Sequence, residues 1–254
     1  MIRNLVLALC LLAPSFAAPR GRQLWSRGEG RVIGGSNADI SNYPWQLAFL
    51  YGGSQICGAS IISGNWALTA AHCVEGKSVS LMSVRGGSTY KNSGGTVLSV
   101  ASGYMHKQYN SATVDYDIAV LQVSGSLSGT NMRAVGLPND NYDPPGGLAV
   151  TATGWGQTST SGGAPNNLLK VDMSIIDRAT CQNIFANVNT VTARMVCAGQ
   201  AGKSVCMGDS GGPLVSGSTQ VGIVSWTGSS CEATGAAYAN VGNLRSWIRS
   251  AAGV

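Results

Sequence analysis

The stretch VCMGDSGGPL, residues 205–214, sets one serine among three glycines, with an aspartate before it and a cysteine close by. Glycine loses more backbone entropy on ordering than any other residue, so three around one position point to a backbone that side chains would obstruct. Either the chain turns there with positive φ, or Ser210 is a nucleophile whose neighbours leave room for a substrate. Gly208-Asp209-Ser210-Gly211-Gly212 also fits G-x-S-x-G, the nucleophile elbow of the α/β hydrolases. That fold alternates strands with helices and carries its histidine after the serine. This chain has two histidines, His72 and His106, and both precede Ser210. Chain order excludes the elbow.

The rest of the sequence reads as all-β. Short apolar or alternating runs recur at QLAFLY (46–51), ASIIS (59–63), TVLSVAS (96–102), DIAVLQV (117–123), LAVTATGW (148–155), LKVDMSII (169–176) and QVGIVSW (220–226). Gly, Asn, Ser and Pro clusters separate them, as in a sandwich or barrel of short strands. Only the end predicts a clear helix: in NLRSWIRSAA, Leu244, Trp247 and Ile248 fall at i, i+3 and i+4. The stretch STSGGAPNN (159–167) reads as a mobile loop.

The first residues read as processing segments. MIRNLVLALCLLAPSFA has Arg3, an apolar run from Leu5 to Leu12 and small residues before a cleavage point after Ala17, the pattern of a secretory signal over residues 1–17. The apolar run falls far short of the roughly 20 residues that a spanning helix needs. Residues 18–31, APRGRQLWSRGEGR, are basic, Gly-rich and poor in aliphatics, which predicts a disordered pro-segment ending at Arg31. One continuous β unit then occupies 32–254. The formal charge of +5 belongs largely to the front: residues 1–31 hold five arginines and one acid, leaving 11 basic and 10 acidic residues beyond. A mature chain so nearly neutral offers no electrostatic case for nucleic acid or an anionic membrane.

Beyond Cys10, six cysteines remain: Cys57, Cys73, Cys181, Cys197, Cys206 and Cys231. An even number in an exported chain predicts three disulfides, and the absence of any Cys-x-x-Cys pair argues against zinc. A serine hydroxyl is a poor nucleophile at neutral pH and needs a base within hydrogen-bond reach. His72, in LTAAHC beside Cys73, can be buried and pinned by a disulfide. His106, in YMHKQYN, reads as a surface histidine. The base in turn needs a carboxylate to fix its tautomer and stabilise the imidazolium. Asp117 directly precedes an apolar run and can sit half-buried at a strand mouth, whereas Asp115 reads as solvated.

TAAHC, DIAVL, GDSGGP, SWTG and the VIGG start stand here in the order and approximate spacing of the chymotrypsin-like (trypsin family) serine endopeptidases, a resemblance that runs from Val32 to the C-terminal helix. It implies two six-stranded antiparallel β-barrels with a C-terminal helix. By the same resemblance Ser210 attacks the scissile carbonyl, His72 carries its proton and Asp117 orients His72. The amides of Gly208 and Ser210 would form the oxyanion hole. Ser225 would hydrogen-bond near Asp117, and the backbone of Ser225, Trp226 and Thr227 would pair with the substrate as an added strand. Cleavage after Arg31 would free the Val32 ammonium to fold inward onto Asp209, which makes the full chain a zymogen. The implied disulfides are Cys57–Cys73, Cys181–Cys197 and Cys206–Cys231.

The specificity pocket departs from the trypsins. Where they carry an aspartate six positions before the serine, this chain has Ser204, so a basic side chain would be desolvated without a partner. Lys203 worsens this if it points inward. Aromatic-accepting relatives have glycine at both pocket walls. Here Thr227 stands at the first, and the second aligns near Ala236, or Gly235 if the loop after Cys231 shifts by one. The expectation is an elastase-like preference for Ala, Val, Leu or Met, with a chymotrypsin-like preference for larger side chains as the alternative. Between Lys77 and Val114 there is no Asp or Glu, so a calcium loop would lack its ligands and no cofactor is expected. The implied partners are protein or peptide substrates, protein protease inhibitors and a separate trypsin-like activating protease, in a secreted protein most simply serving digestion. The rival is a catalytically silent homologue acting as a binding module.

Overall fold

The computed structural model describes residues 32–231 and 235–254, with no description of the Val32 side chain. The signal and pro-segment expectations, Arg31 included, lie outside the described residues. After a short strand β1 (Ser36–Asn37), six strands make the first half: β2 (Gln46–Tyr51), β3 (Ser54–Ile61), β4 (Trp66–Thr69), β5 (Met82–Gly86), β6 (Thr96–Met105) and β7 (Ala119–Val123). They close into a barrel in the order β2-β3-β4-β7-β6-β5. The second half holds β8 (Ala149–Gly154), β9 (Leu169–Ile176), β10 (Met195–Ala198), β11 (Pro213–Ser216), β12 (Thr219–Thr227) and β13 (Ala236–Asn240). Its order is β9-β10-β13-β12-β11-β8, and β8 pairs with β9 to close the ring, while β1 is added outside β9. Both barrels are antiparallel and share one strand order.

Burial explains why these runs become strands. Along β9 the pattern LKVDMSII turns every second side chain inward, with Leu169, Val171, Met173 and Ile175 buried. Leu47, Phe49, Ile61, Leu68 and Leu121 fill the first barrel at 0–1% exposure, each contributing roughly 1.5–3 kcal/mol by leaving water. Several strands read poorly from sequence. The strand β13, AAYAN, is rich in alanine, which has little strand preference of its own, and its five residues are all buried.

The anticipated C-terminal helix forms, and two short helices accompany it. Besides α3 (Arg245–Ala252), the chain forms a one-turn α1 (Ala71–Val74) and α2 (Arg178–Ile184). The Asp177 carboxylate caps α2 by accepting from the Thr180 amide at 2.9 Å, which satisfies one of the free donors of the first turn. Both are too short to show a helical period. In α3 the anticipated face holds: Ile248 and the preceding Leu244 are buried, Trp247 half-buried, and the Gly253 amide closes the end onto the Arg249 carbonyl at 2.9 Å. The loop 159–167 is also tied down more than its composition suggests. Asn166 and Ala164 accept bonds from the Lys91 amide and ammonium, and Tyr90 bridges to Asn167.

The three bridges form as the resemblance implies: Cys57–Cys73, Cys181–Cys197 and Cys206–Cys231. Between the barrels, buried polar pairs sit among the apolar contacts. Ser60 Oγ donates to Gln220 Oε1 at 2.6 Å, and Thr153 Oγ1 to Gln46 Oε1 at 2.5 Å, each joining one barrel to the other. Each fixes the seam's register because a slip would strand a buried polar atom.

Candidate active site

The seam brings the three anticipated segments together. His72 lies in α1, which the Cys57–Cys73 bridge fastens to β3. Its ring Nδ1 is 2.7 Å from Asp117 Oδ2, and its backbone amide donates to Asp117 Oδ1 at 2.9 Å. Asp117 is 1% exposed. The same Oδ2 also accepts from the Ser225 hydroxyl at 2.5 Å, from across the seam. Three donors therefore compensate the buried charge. Ser225 falls where the β12–β13 register shifts between Val224 and Trp226, and such a bulge re-aims a side chain out of the regular alternation.

Ser210 reaches the same place from the second barrel. Its carbonyl accepts from the Gly58 amide at 2.7 Å, and Gln55 Nε2 donates to the Gly208 carbonyl at 3.2 Å, so two residues of β3 hold the turn 208–212. Gly211, at φ +77°, rests on the strand end just before His72. A Cβ there would stand 2.2 Å from Thr69 Oγ1 and 2.6 Å from the Gly58 carbonyl oxygen. The positive-φ reading of the opening glycines holds at Gly211, and its lack of a Cβ also lets the turn approach the first barrel closely. The amides of Asp209, Gly211 and Gly212 donate to backbone carbonyls, whereas among the described residues those of Gly208 and Ser210 have no acceptor. The seam thus gathers an oriented imidazole, a half-buried Ser210 and two unengaged N–H groups, and among the described residues no hydrogen bond yet joins Ser210 to His72.

Asp209 is turned away from this surface. It is 1% exposed, and its oxygens accept from the Gly156 amide at 2.8 Å and the Cys206 amide at 3.0 Å. Burial pushes its carboxyl up to about 6, against which the two amides and the distant Lys91 charge pull only partly. The room for it comes from Gly156, where a Cβ would lie 2.4 Å from Asp209 Cγ. Sequence reasoning passed over this glycine, whose signal was its place directly after the strand run LAVTATGW. Ile33 is buried against Cys206 and Cys231, and its carbonyl accepts from the Ser204 amide at 3.3 Å.

Ser204 is fully buried and its hydroxyl has no hydrogen-bond partner among the described residues. Thr227, half-buried, pairs in register with the buried Ala236 across β12 and β13. Trp226, with its ring edge-on to Phe185 at 4.8 Å, stands between Ser225 and Thr227. Lys203 points outward, its ammonium 3.2 Å from the Asp172 carbonyl.

Two side chains depart from expectation. Asp115 is not solvated: its side chain is 13% exposed and ion-paired with Arg194. His106 is half-buried and stacks on Tyr116 with ring centroids 4.5 Å apart. Burial lowers its pKa, opposed by the Asp115 charge. The partners of both lie far off in sequence, so local composition could not place them. The cluster of Cys57, His72 and Cys73 has metal-like spacing, but both sulfurs are spent in one disulfide.

Comparison with known proteins identifies the family. The sequence pattern of the trypsin family matches residues 32–248. The chain is 40% identical to trypsin alpha-4 of Lucilia cuprina over 97% of each chain, and 42% identical to trypsin alpha of Drosophila melanogaster over 88% of each. Among solved structures it resembles the scabies mite inactivated protease paralogue S-D1, with a TM-score of 0.81 and 28% identity over 86% of this chain and 96% of that one. It also resembles neuropsin, a serine protease of mouse brain, with a TM-score of 0.78 and 31% identity over 85% and 97%. Matched over residues 32–248 and about 40% identical to curated trypsins over most of its length, the chain belongs to the trypsin family of serine endopeptidases.

Proposed function

We propose that the protein is a secreted endopeptidase, made as a zymogen, that cleaves peptide bonds after apolar residues through Ser210, His72 and Asp117. The observation that carries this reading is the bonded series Ser225–Asp117–His72 across the barrel seam, with Gly211, the residue after Ser210, packed against Thr69 just before His72. With Asp117 holding Nδ1–H, His72 Nε2, which lies 3.7 Å from the Cys73 sulfur, would take the Ser210 proton as the hydroxyl adds to the carbonyl. His72 then returns that proton to the leaving amine, and water repeats the cycle on the acyl-enzyme. The unengaged amides of Gly208 and Ser210 supply donors for the oxyanion, each worth roughly 3–4 kcal/mol to the transition state. A stoichiometric organophosphate label on Ser210 of the activated chain, absent from Ser210→Ala, tests the nucleophile. An unlabelled activated chain would favour the silent homologue.

Cleavage after Arg31 is the proposed trigger, performed by a separate trypsin-like enzyme because this chain's own pocket lacks an acid at position 204. The freed Val32 ammonium would pair with Asp209, whose buried carboxylate has two amide donors and no ion-pair partner among the described residues. Neutralising that charge would lock the Gly208–Ser210 turn.

Apolar preference rests on Ser204, Thr227 and Ala236. A buried hydroxyl at the pocket base gives no counter-charge to lysine or arginine. Thr227 beside Ala236 narrows the walls, which favours Ala, Val, Leu or Met over Phe or Tyr. Each methylene in such a pocket is worth roughly 1–3 kcal/mol, so selection among apolar residues is broad. A peptide panel that also includes lysine and arginine decides it, with preferred cleavage after either basic residue as the result that discards the pocket assignment.

A further inference from the structure

We propose that Arg194 is a positioning residue for Asp117: from the second barrel it grips Asp115 and fixes the loop that presents Asp117 to His72. The inference rests on the triad reading above. The loop 106–118 joins β6 to β7 and carries two non-glycine residues in the left-handed region, Val114 at φ 52° and Tyr116 at φ 54°. For a β-branched and an aromatic residue this conformation is strained, and it persists only where surrounding contacts over-determine it.

The loop's own bonds, such as the Asn110 amide to the Asp115 carbonyl at 3.1 Å, supply some of those contacts, and the other barrel supplies the bonds to the Asp115 carboxylate from outside the loop. Arg194 engages both oxygens of Asp115, with Nε 3.2 Å from Oδ1 and Nη2 on Oδ2. Thr192 Oγ1 adds a bond to Asp115 Oδ1 at 3.0 Å, and Asn189 Nδ2 donates to the Thr113 carbonyl at 2.7 Å. The guanidinium also lies over the Tyr116 ring, 4.8 Å from its centroid. Behind that ring stands His106, itself 5.2 Å from Trp247 of α3. Asp115, Tyr116 and Asp117 are consecutive, so the grip is applied two residues from the carboxylate.

The side that makes the grip is rigid. The Arg194 carbonyl accepts from the Asn240 amide of β13 at 2.8 Å, and β10 begins at the next residue. With Arg194 29% and Asp115 13% exposed, the bidentate pair is shielded and pre-shaped, unlike an ordinary surface pair. Burial raises the Asp115 carboxyl, and the bonds from Arg194, Thr192 and the Tyr116 amide outweigh it to hold the group below its usual value. The same barrel that carries Ser210 thereby sets the loop bearing Asp117.

The test uses the full chain after cleavage behind Arg31, with kcat and KM measured on a chromogenic peptide well below each variant's melting point. Arg194→Ala should lower kcat by about 10- to 100-fold while KM moves by less than about threefold, because a small misplacement of an orienting group acts on the chemical step. Arg194→Lys, which keeps the charge and loses the fork, should fall between this variant and the wild type and serves where the alanine variant does not fold. Asp115→Ala combined with Arg194→Ala should be no worse than either alone. A folded Arg194→Ala or Arg194→Lys with kcat within twofold of wild type, or with its loss confined to KM, overturns the clamp. Ser210→Ala run beside them separates the readings: normal turnover there removes the triad, whereas a dead Ser210→Ala beside a fully active Arg194→Ala removes only the clamp.

Discussion

The Ser225 hydroxyl meets Asp117 Oδ2 at 2.5 Å, although the two residues stand 108 positions apart and belong to different barrels. Asp117 thus receives His72 from its own barrel and Ser225 from the other. Docking of the barrels and orientation of the imidazole are one event.

Removing that donor should act on chemistry more than on binding. Ser225→Ala leaves one lone pair of a buried carboxylate uncompensated, which is worth roughly 1.5–3 kcal/mol for a bond to a charged group. The expected outcome is a fall in kcat of about 10-fold or more with KM little changed, read on the activated enzyme. Unchanged kcat would mean that His72 and its own amide suffice.

Widening the pocket should redirect cleavage. Thr227→Gly removes the bulk opposite Ala236, so the ratio of cleavage after Phe to cleavage after Ala should rise by about 10-fold or more. A ratio that stays flat would show that the wall does not set the preference.

Asp209 predicts a pH dependence of stability in the uncleaved chain. Its carboxyl is raised from 3.8 to about 6, so ionising it is harder when folded. Stability from this group is full below pH 4, falls as pH rises from about 4 to 6, and stays lower above that, by up to about 3 kcal/mol. The difference in thermal midpoint between wild type and Asp209→Asn should follow this curve. After cleavage behind Arg31 an ammonium partner should abolish or reverse it, and identical curves before and after cleavage would contradict the proposed pairing.

Gly156→Ala tests the same carboxylate sterically. The added methyl would lie 2.4 Å from Asp209 Cγ, inside any allowed contact. Displacing a buried charge from two amide donors should destabilise the chain by about 3 kcal/mol or more, measured by denaturant unfolding. A loss below about 1 kcal/mol would show that Asp209 can move freely.

The legible part of this molecule was whatever repeats at short range. Alternation marked β9 because Leu169, Val171, Met173 and Ile175 point inward in turn, and His72, Asp117 and Ser210 stood out because short motifs surround each. The strands β4, β10 and β11 escaped notice because four residues are too few to display a period. Partnerships across the seam left still less trace. Nothing near Asp115 announces Arg194, and nothing in GWG announces a carboxylate 53 positions away, because long-range contacts are set by barrel docking.

All three described disulfides fall within a barrel, and none crosses from one to the other. A nick in the connection between β7 and β8 would therefore leave two polypeptides held together by non-covalent contacts alone, the seam hydrogen bonds and the β1–β9 pairing among them. Whether such halves work when supplied separately becomes a matter of mutual affinity, and split-protein complementation with an assayable product would measure it.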